Sequence, residues 1–189
     1  GWYHTRNYSS IEFLKFIRYE NSTMKNKYIS PFKPKKIKDF NTPKIKIYTF
    51  KAGYKRSKDD LLIIVFEKPV KFAAVFTKSS TPSAPVIWDK KLNKENLCKV
   101  LIVNSGNANA YTGSSGIASI KKYASFASKM FNCEISQVFV SSTGVIGEQL
   151  KPEPIIKKLE ILKNKRSNKL IHAAKAIMTT DTYPKIVDE

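Results

Sequence analysis

Several things are scarce in this sequence, and each shortage excludes a class of protein. Cysteine occurs twice in 189 residues, at Cys98 and Cys133, too few for a disulfide scaffold. Neither has a CxxC partner, so zinc is unsupported, and two free, partly buried thiols fit a reducing, cytoplasmic setting. Seven glycines and nine prolines are too few for a collagen-like or linker-like chain. The longest strongly apolar run, Leu61–Phe66, is far short of the roughly 20 residues a membrane-spanning helix needs. No GxGxxG and no GxxxxGK[ST] occurs, so dinucleotide and P-loop readings lack support. Arginine is scarce as well: Arg6, Arg18, Arg56 and Arg166 are the only ones among 34 basic residues.

What is present describes one ordinary globular domain, 42% hydrophobic and 26% charged. The net charge of +19 raises nucleic acid as a partner. Lysine, however, supplies nearly all of it, and arginine is the preferred fork for phosphate and base edges. Lysine together with abundant Ile, Asn, Tyr and Phe is what AT-rich codons encode. Solvated lysines on every face therefore explain the charge more simply than a binding surface does.

The first residue is Gly1. Ser9-Ser10-Ile11-Glu12 is a capping-box pattern with Ile11, Leu14 and Ile17 at helical spacing. No targeting signal is readable there. Met24 is a credible true start, which leaves 1–23 as a leader outside the folded unit. The chain stops at Glu189 without a polar tail and reads as interrupted. Residues 25–44, with Pro31, Pro34 and Pro43, read as an extended lead-in.

The pattern then predicts a strand over 44–51, with Ile45, Ile47 and Thr49 on one face, broken by Ala52-Gly53. A strand buried on both faces follows over 60–66, then a turn at Glu67-Lys68-Pro69 and a strand over 70–77. A loop over 78–85 precedes a short strand over 99–103. Asn104–Ala110 is too rich in turn residues for helix or strand. A helix over 116–131 carries the stripe Ile117, Ile120, Ala124, Ala127 and Phe131, with Ser114 or Ser115 as its cap. A strand over 137–140 runs into Ser141–Gly144. Helices over 152–162 and 170–178 follow, the second facing Leu170, Ala174 and Ile177 inward. The expected class is mixed α/β (α+β), with sheet and helix layers.

Three segments could carry chemistry. In Val138–Gly147 a buried strand empties into small hydroxyl residues and Gly144. A glycine there can take positive φ and aim consecutive backbone N–H groups to one side, and the Thr143 hydroxyl can add a donor. Such a group can hold an oxyanion, although an ordinary strand-to-loop turn gives the same pattern more often. Asn104–Ala110 is either the polar wall of a ligand site or an Asx-turn network that satisfies its own backbone. Met178–Thr182 offers hydroxyls and a carboxylate to an amino-acid ligand, or is simply a polar helix end. His172 has no Cys or Asp at ligand spacing and reads as a structural histidine.

Taken in order, these segments resemble one family. The matching stretches are Ser30-Pro31-Phe32-Lys33-Pro34, Ala52-Gly53 with Lys58–Leu62, and Val75-Phe76-Thr77 with Ala84-Pro85-Val86. They continue with Val103–Ala110 and Thr112-Gly113, Ser142–Glu148, and Ala176–Thr182. Over about 25–189 the chain resembles the N-terminal, α-chain portion of the ornithine acetyltransferases, also called glutamate N-acetyltransferases, of arginine biosynthesis.

The resemblance implies a precursor that cleaves itself before a threonine into α and β chains. The new N-terminal threonine takes acetyl from N-acetylornithine and passes it to glutamate; some members also accept acetyl-CoA. A hydroxyl activated by its own terminal amine is a known route to such a nucleophile. The family's oxyanion pair maps onto Thr143 and Gly144, and its substrate-contacting threonine onto Thr179 or Thr180. The resemblance implies no metal or organic cofactor, no membrane, and a β chain as partner. The nucleophile, the cleavage site and a substrate-binding lysine have no match in these residues, so the isolated chain is expected to be inactive. Two alternatives are a related self-cleaving aminopeptidase or hydrolase and, on charge alone, a nucleic-acid-binding protein.

Overall fold

The computed structural model describes residues 44–92 and 96–186. The expected leader over 1–23 and nearly all of the lead-in lie outside the described residues.

Four strands, β1 (Ile45–Phe50), β2 (Leu61–Lys71), β3 (Leu97–Asn107) and β4 (Val138–Val145), form one sheet in the order β1-β2-β3-β4. The first two pairings are antiparallel and β3–β4 is parallel. Parallel neighbours need a crossover, and a helix supplies it here. The helices are α1 (Ala84–Leu92), α2 (Gly113–Phe131), α3 (Glu153–Glu160) and α4 (Leu170–Ala176). Alternation along the strands sends Tyr48, Phe50, Leu61, Ile63, Val100, Ile102, Val138 and Val140 to one face. There they meet Ile120, Tyr123, Ala124 and Ala127 of α2 and Ile155 and Leu159 of α3. Burying each large aliphatic side chain contributes about 1.5–3 kcal/mol. The other face holds a smaller cluster of Leu62, Ala173 and Ala176, flanked by Ile47, Ile64, Val103 and Leu170. The mixed α+β class is as expected, with helices on both faces.

Several expectations need correction. The stripe of Ile45, Ile47 and Thr49 is real, but Ile47 packs toward α4; the main core takes Tyr48 and Phe50 from the opposite face. Glu67-Lys68-Pro69 is not a turn. β2 continues to Lys71 through an irregularity between Val65 and Val70, where Pro69, which has no N–H to give, interrupts nothing. Of the strand expected over 70–77, Val70 and Lys71 pair with Cys98 and Leu97, and Phe72 N donates to Asn96 O at 3.1 Å. The expected loop over 78–85 yields to α1 at Ala84, because Pro85 in a first helical turn forfeits an N–H that needs no partner.

β3 runs through Asn104–Asn107, since pairing with Ser142–Val145 satisfies a backbone whose side chains favour turns. α2 starts at Gly113, with Thr112 rather than Ser114 or Ser115 at its cap position. Its buried stripe gains Tyr123. The helix expected over 152–162 is α3 followed by a 3-10 turn over Leu162–Asn164. α4 ends at Ala176, so Ile177 falls off the stripe and is 41% exposed. His172 is exposed on α4 rather than held in a core. Cys98 is buried, Cys133 half-buried, and both are free. Burial pushes the Cys98 thiol up to about 12 and raises that of Cys133.

Candidate functional site

The start of β2 and the ends of β1, β3 and β4 lie at one end of the sheet, as the registers require. Asp60, wholly buried, organises that end. Its carboxylate accepts the N–H groups of Ala52 at 2.6 Å, Gly53 at 3.0 Å and Lys55 at 2.7 Å. Its backbone bonds Phe50 O at 2.9 Å and, through its carbonyl, Ser105 N at 2.8 Å. A buried carboxylate is tolerable when hydrogen bonds replace its lost water, and this one holds the loop between β1 and β2 in a tight arc.

The asparagine-rich segment resolves toward its own backbone. Asn104 Nδ2 donates to Asn107 O at 2.8 Å, Asn109 N to Asn107 Oδ1 at 2.7 Å, and Asn109 Nδ2 to Gly116 O at 3.2 Å. Asn107 Nδ2 reaches across to Glu148 O at 3.0 Å, and Ser142 Oγ donates to Asn104 Oδ1 at 2.6 Å. Asn104, Asn107 and Asn109 are all buried. Their amides tie the end of β3 to the segment leaving β4 and to the start of α2. The Asx-network reading therefore prevails over the ligand-wall reading.

That network fixes the end of β4, where Thr143 is half-buried and Gly144 exposed. Gly144 has φ +137 and lies against Gly106. Val145 O accepts Ala108 N at 2.8 Å, so Val145 bonds toward β3. Backbone groups alternate in direction along a strand, so Ser142 and Gly144 aim outward. Among the described residues β4 is the last strand of the sheet, so Ser142 and Gly144 face away from its paired neighbour β3. Thr143 and Gly144 thus stand at the C-terminal end of parallel strands, where open α/β sheets place their ligands. Beyond them Val145 is 51% and Ile146 68% exposed.

The Met178–Thr182 segment is held to the same sheet end. Ser105 Oγ donates to Ala176 O at 2.5 Å, and Lys55 Nζ donates to Ala176 O at 3.2 Å and also to Met178 O. A lysine on the last carbonyls of a helix is favourable for hydrogen bonding and for the dipole. Burial lowers the Lys55 ammonium below its ordinary range, against the attraction of Asp60. Thr179 lines a cleft of about 490 Å³ together with Lys55, Lys58, His172, Lys175 and Asp181. Thr180 is exposed and does not line that cleft, nor do Thr143 and Gly144. Asp181 accepts Thr179 N at 3.3 Å and pairs with Lys185, whose bond holds the Asp181 carboxyl below its usual range.

Asp60 and Lys55 were not expected at the site, and Ser105 was expected only as part of the Asn104–Ala110 segment. Asp60 opens an apolar run and has a neighbouring acid, but its acceptor role depends on a loop that folds back onto it. Among the described residues no cluster of His, Cys, Asp and Glu could hold a metal ion. Among them, too, no helix is long and apolar enough to cross a membrane.

Known proteins resemble this chain in sequence and in fold. Residues 46–189 match the ArgJ family. The arginine biosynthesis bifunctional protein ArgJ of Bradyrhizobium diazoefficiens is 40% identical over 84% of this chain and 39% of its own length. That of Mesorhizobium japonicum is 42% identical over 85% of this chain and 40% of its own. The chain thus spans about two fifths of the curated relatives it matches. Among solved structures, Bacillus halodurans ArgJ superposes with TM-score 0.67 at 32% identity, covering 74% of either chain. Mycobacterium tuberculosis ornithine acetyltransferase, complexed with ornithine, gives TM-score 0.69 at 31% identity, covering 76% of this chain and 79% of that one. A match over most of the chain, in sequence and in fold, is a statement of kinship: this chain belongs to the ArgJ family.

Proposed function

We propose that this chain is the N-terminal portion of an N-acetyltransferase of arginine biosynthesis. The enzyme moves acetyl from N-acetylornithine to glutamate through an acyl-threonine intermediate. In this reading Thr143 and Gly144 are the oxyanion donors and Thr179 or Thr180 touches the amino-acid substrate. The nucleophilic threonine comes from a β chain cleaved from the same precursor, and the two chains assemble in the cytoplasm. Thr143 Oγ and the Gly144 N–H stabilise charge as the acetyl carbonyl becomes tetrahedral, each donor contributing roughly 3 kcal/mol.

The observation that carries the reading is the outward-facing end of β4 in a chain of this family. Two others support it. The chain covers 74–79% of the solved chains but 39–40% of the curated relatives, as expected if such proteins divide into two chains. Val145 and Ile146, exposed beside Gly144, suit a surface that a β chain covers. The test is to incubate the complete polypeptide with N-acetylornithine and glutamate and to follow N-acetylglutamate and free acetate. Stoichiometric N-acetylglutamate supports the reading. Acetate alone would mean a hydrolase of the same fold.

A further inference from the structure

The outer edge of β4 is open only in part. Trp88 Nε1 donates to Val138 O at 3.2 Å, and Asp89 Oδ1 accepts Val140 N at 3.1 Å. Both groups belong to α1, and both backbone partners lie on the outward side of β4. Unpaired edge groups of a sheet require partners, and these two side chains provide them. Successive residues of a helix diverge by about 100°. For Trp88 and Asp89 to reach one strand edge two residues apart, α1 must lie along that edge. Among the described residues that cover ends after Val140. The next outward positions, Ser142 and Gly144, are the ones left for a ligand.

We propose that Trp88 and Asp89 brace the outer edge of β4 and set the direction of the Gly144 N–H, making Asp89 a positioning residue for the oxyanion site. The proposal rests on the oxyanion reading of Thr143 and Gly144. A peptide unit is planar, so a bond that fixes the Val140 amide fixes the Phe139 carbonyl. That carbonyl belongs to the β3–β4 ladder, whose pairing continues from Phe139 to Thr143 without interruption. A change in the strength of the Asp89 bond is therefore carried along a rigid pairing to Gly144.

Asp89 can make such a change. Among the described residues, the titratable groups facing it from other elements are Cys98 from β3 and Tyr123 from α2. Burial keeps both in their neutral forms, the thiol at about 12 and the phenol higher than usual. On its own helix Lys90 turns away to Thr77 O at 2.9 Å. Desolvation pushes the Asp89 carboxyl up to about 7, against the Val140 N–H bond that favours the carboxylate. An ionised acceptor makes the stronger bond, so the brace tightens as Asp89 ionises.

The experiment follows the Val140, Ser142 and Gly144 amide signals of the 15N-labelled chain by NMR from pH 5.5 to pH 8.5. Val140 should shift with a midpoint near 7, and Ser142 and Gly144 should follow with the same midpoint. All three shifts should vanish in Asp89→Asn, whose amide oxygen still accepts the bond. Trp88→Phe should keep the titration, which preserves the test if Asp89→Asn fails to fold. As a control on α4, the variant His172→Gln should leave all three shifts in place. A Val140 shift with Gly144 flat would confine Asp89 to edge capping and overturn the proposal, as would three flat signals. Neither outcome depends on acetyl transfer, so the oxyanion reading stands or fails separately.

Discussion

Gly144 lies on Gly106 so closely that a Cβ built on Gly144 would stand 2.3 Å from the Gly106 carbonyl carbon. Its φ of +137 also belongs to the region that side chains avoid. Two parallel strands are thus brought together at Gly144, one of the positions where the second aims its amide outward. Gly144→Ala meets both obstacles and should cost about 3 kcal/mol in urea unfolding. Gly147→Ala is the control. Gly147 has φ +87 but open space around it, so about 1 kcal/mol is expected.

Asp60→Asn should be the most damaging near-isosteric change at the sheet end. One of its two oxygens becomes an NH₂ group, which faces the N–H donor of Ala52 or, with the amide flipped, those of Gly53 and Lys55. Leaving such donors unsatisfied costs about 1–3 kcal/mol each. A loss of about 3 kcal/mol is expected, with amide exchange of residues 52–55 accelerated in proportion.

Lys55→Met keeps the apolar stem of the side chain and removes the ammonium from Ala176 O and Met178 O. Ser105 Oγ still holds Ala176. The expected loss is about 1 kcal/mol, and the change should concentrate in faster amide exchange over residues 177–181. Rescue by Lys55→Arg would show that charge at the helix end is what matters there.

Asp89 gives stability a pH dependence of defined sign. Its folded pKa, about 7, lies above its unfolded value, ordinarily 3.8. Between those values the folded chain holds a proton that the unfolded chain has released. Stability from this group is therefore greatest at low pH, falls as pH rises toward 7, and is level above it. Asp89→Asn does not titrate. Its stability relative to the parent should rise by about 2 kcal/mol between pH 5 and pH 8. A constant difference across that range would contradict the burial-driven shift.

Local pattern made part of this fold legible. The apolar run Leu61–Phe66 and the 3.6-residue stripe of Ile120, Ala124 and Ala127 are facts of neighbouring residues, and both stand as expected. Thr143 and Gly144 stood out because a buried run ends there in small residues and a glycine. Asn104–Asn107 misled, because side chains that usually make turns here bond to the backbone of a strand held by its neighbour. α1 was missed because Pro85 reads as a loop residue unless the helix start is known. The partners of Lys55 and Asp89 could not be read at all. Asp89 meets Val140 51 positions along the chain, and Lys55 meets Met178 123 positions along. Contacts of that range follow from topology, which no window of residues contains.

The central claim is that Thr143 and Gly144 stabilise a tetrahedral intermediate of acetyl transfer. The most direct test is the steady-state rate of N-acetylornithine-to-glutamate transfer by the complete polypeptide carrying Thr143→Val. This change removes one donor and preserves the strand. A donor acting only in the transition state predicts kcat lowered by about 10²–10³ with KM little changed. An unchanged kcat would contradict the claim and remove Thr143 from the reaction.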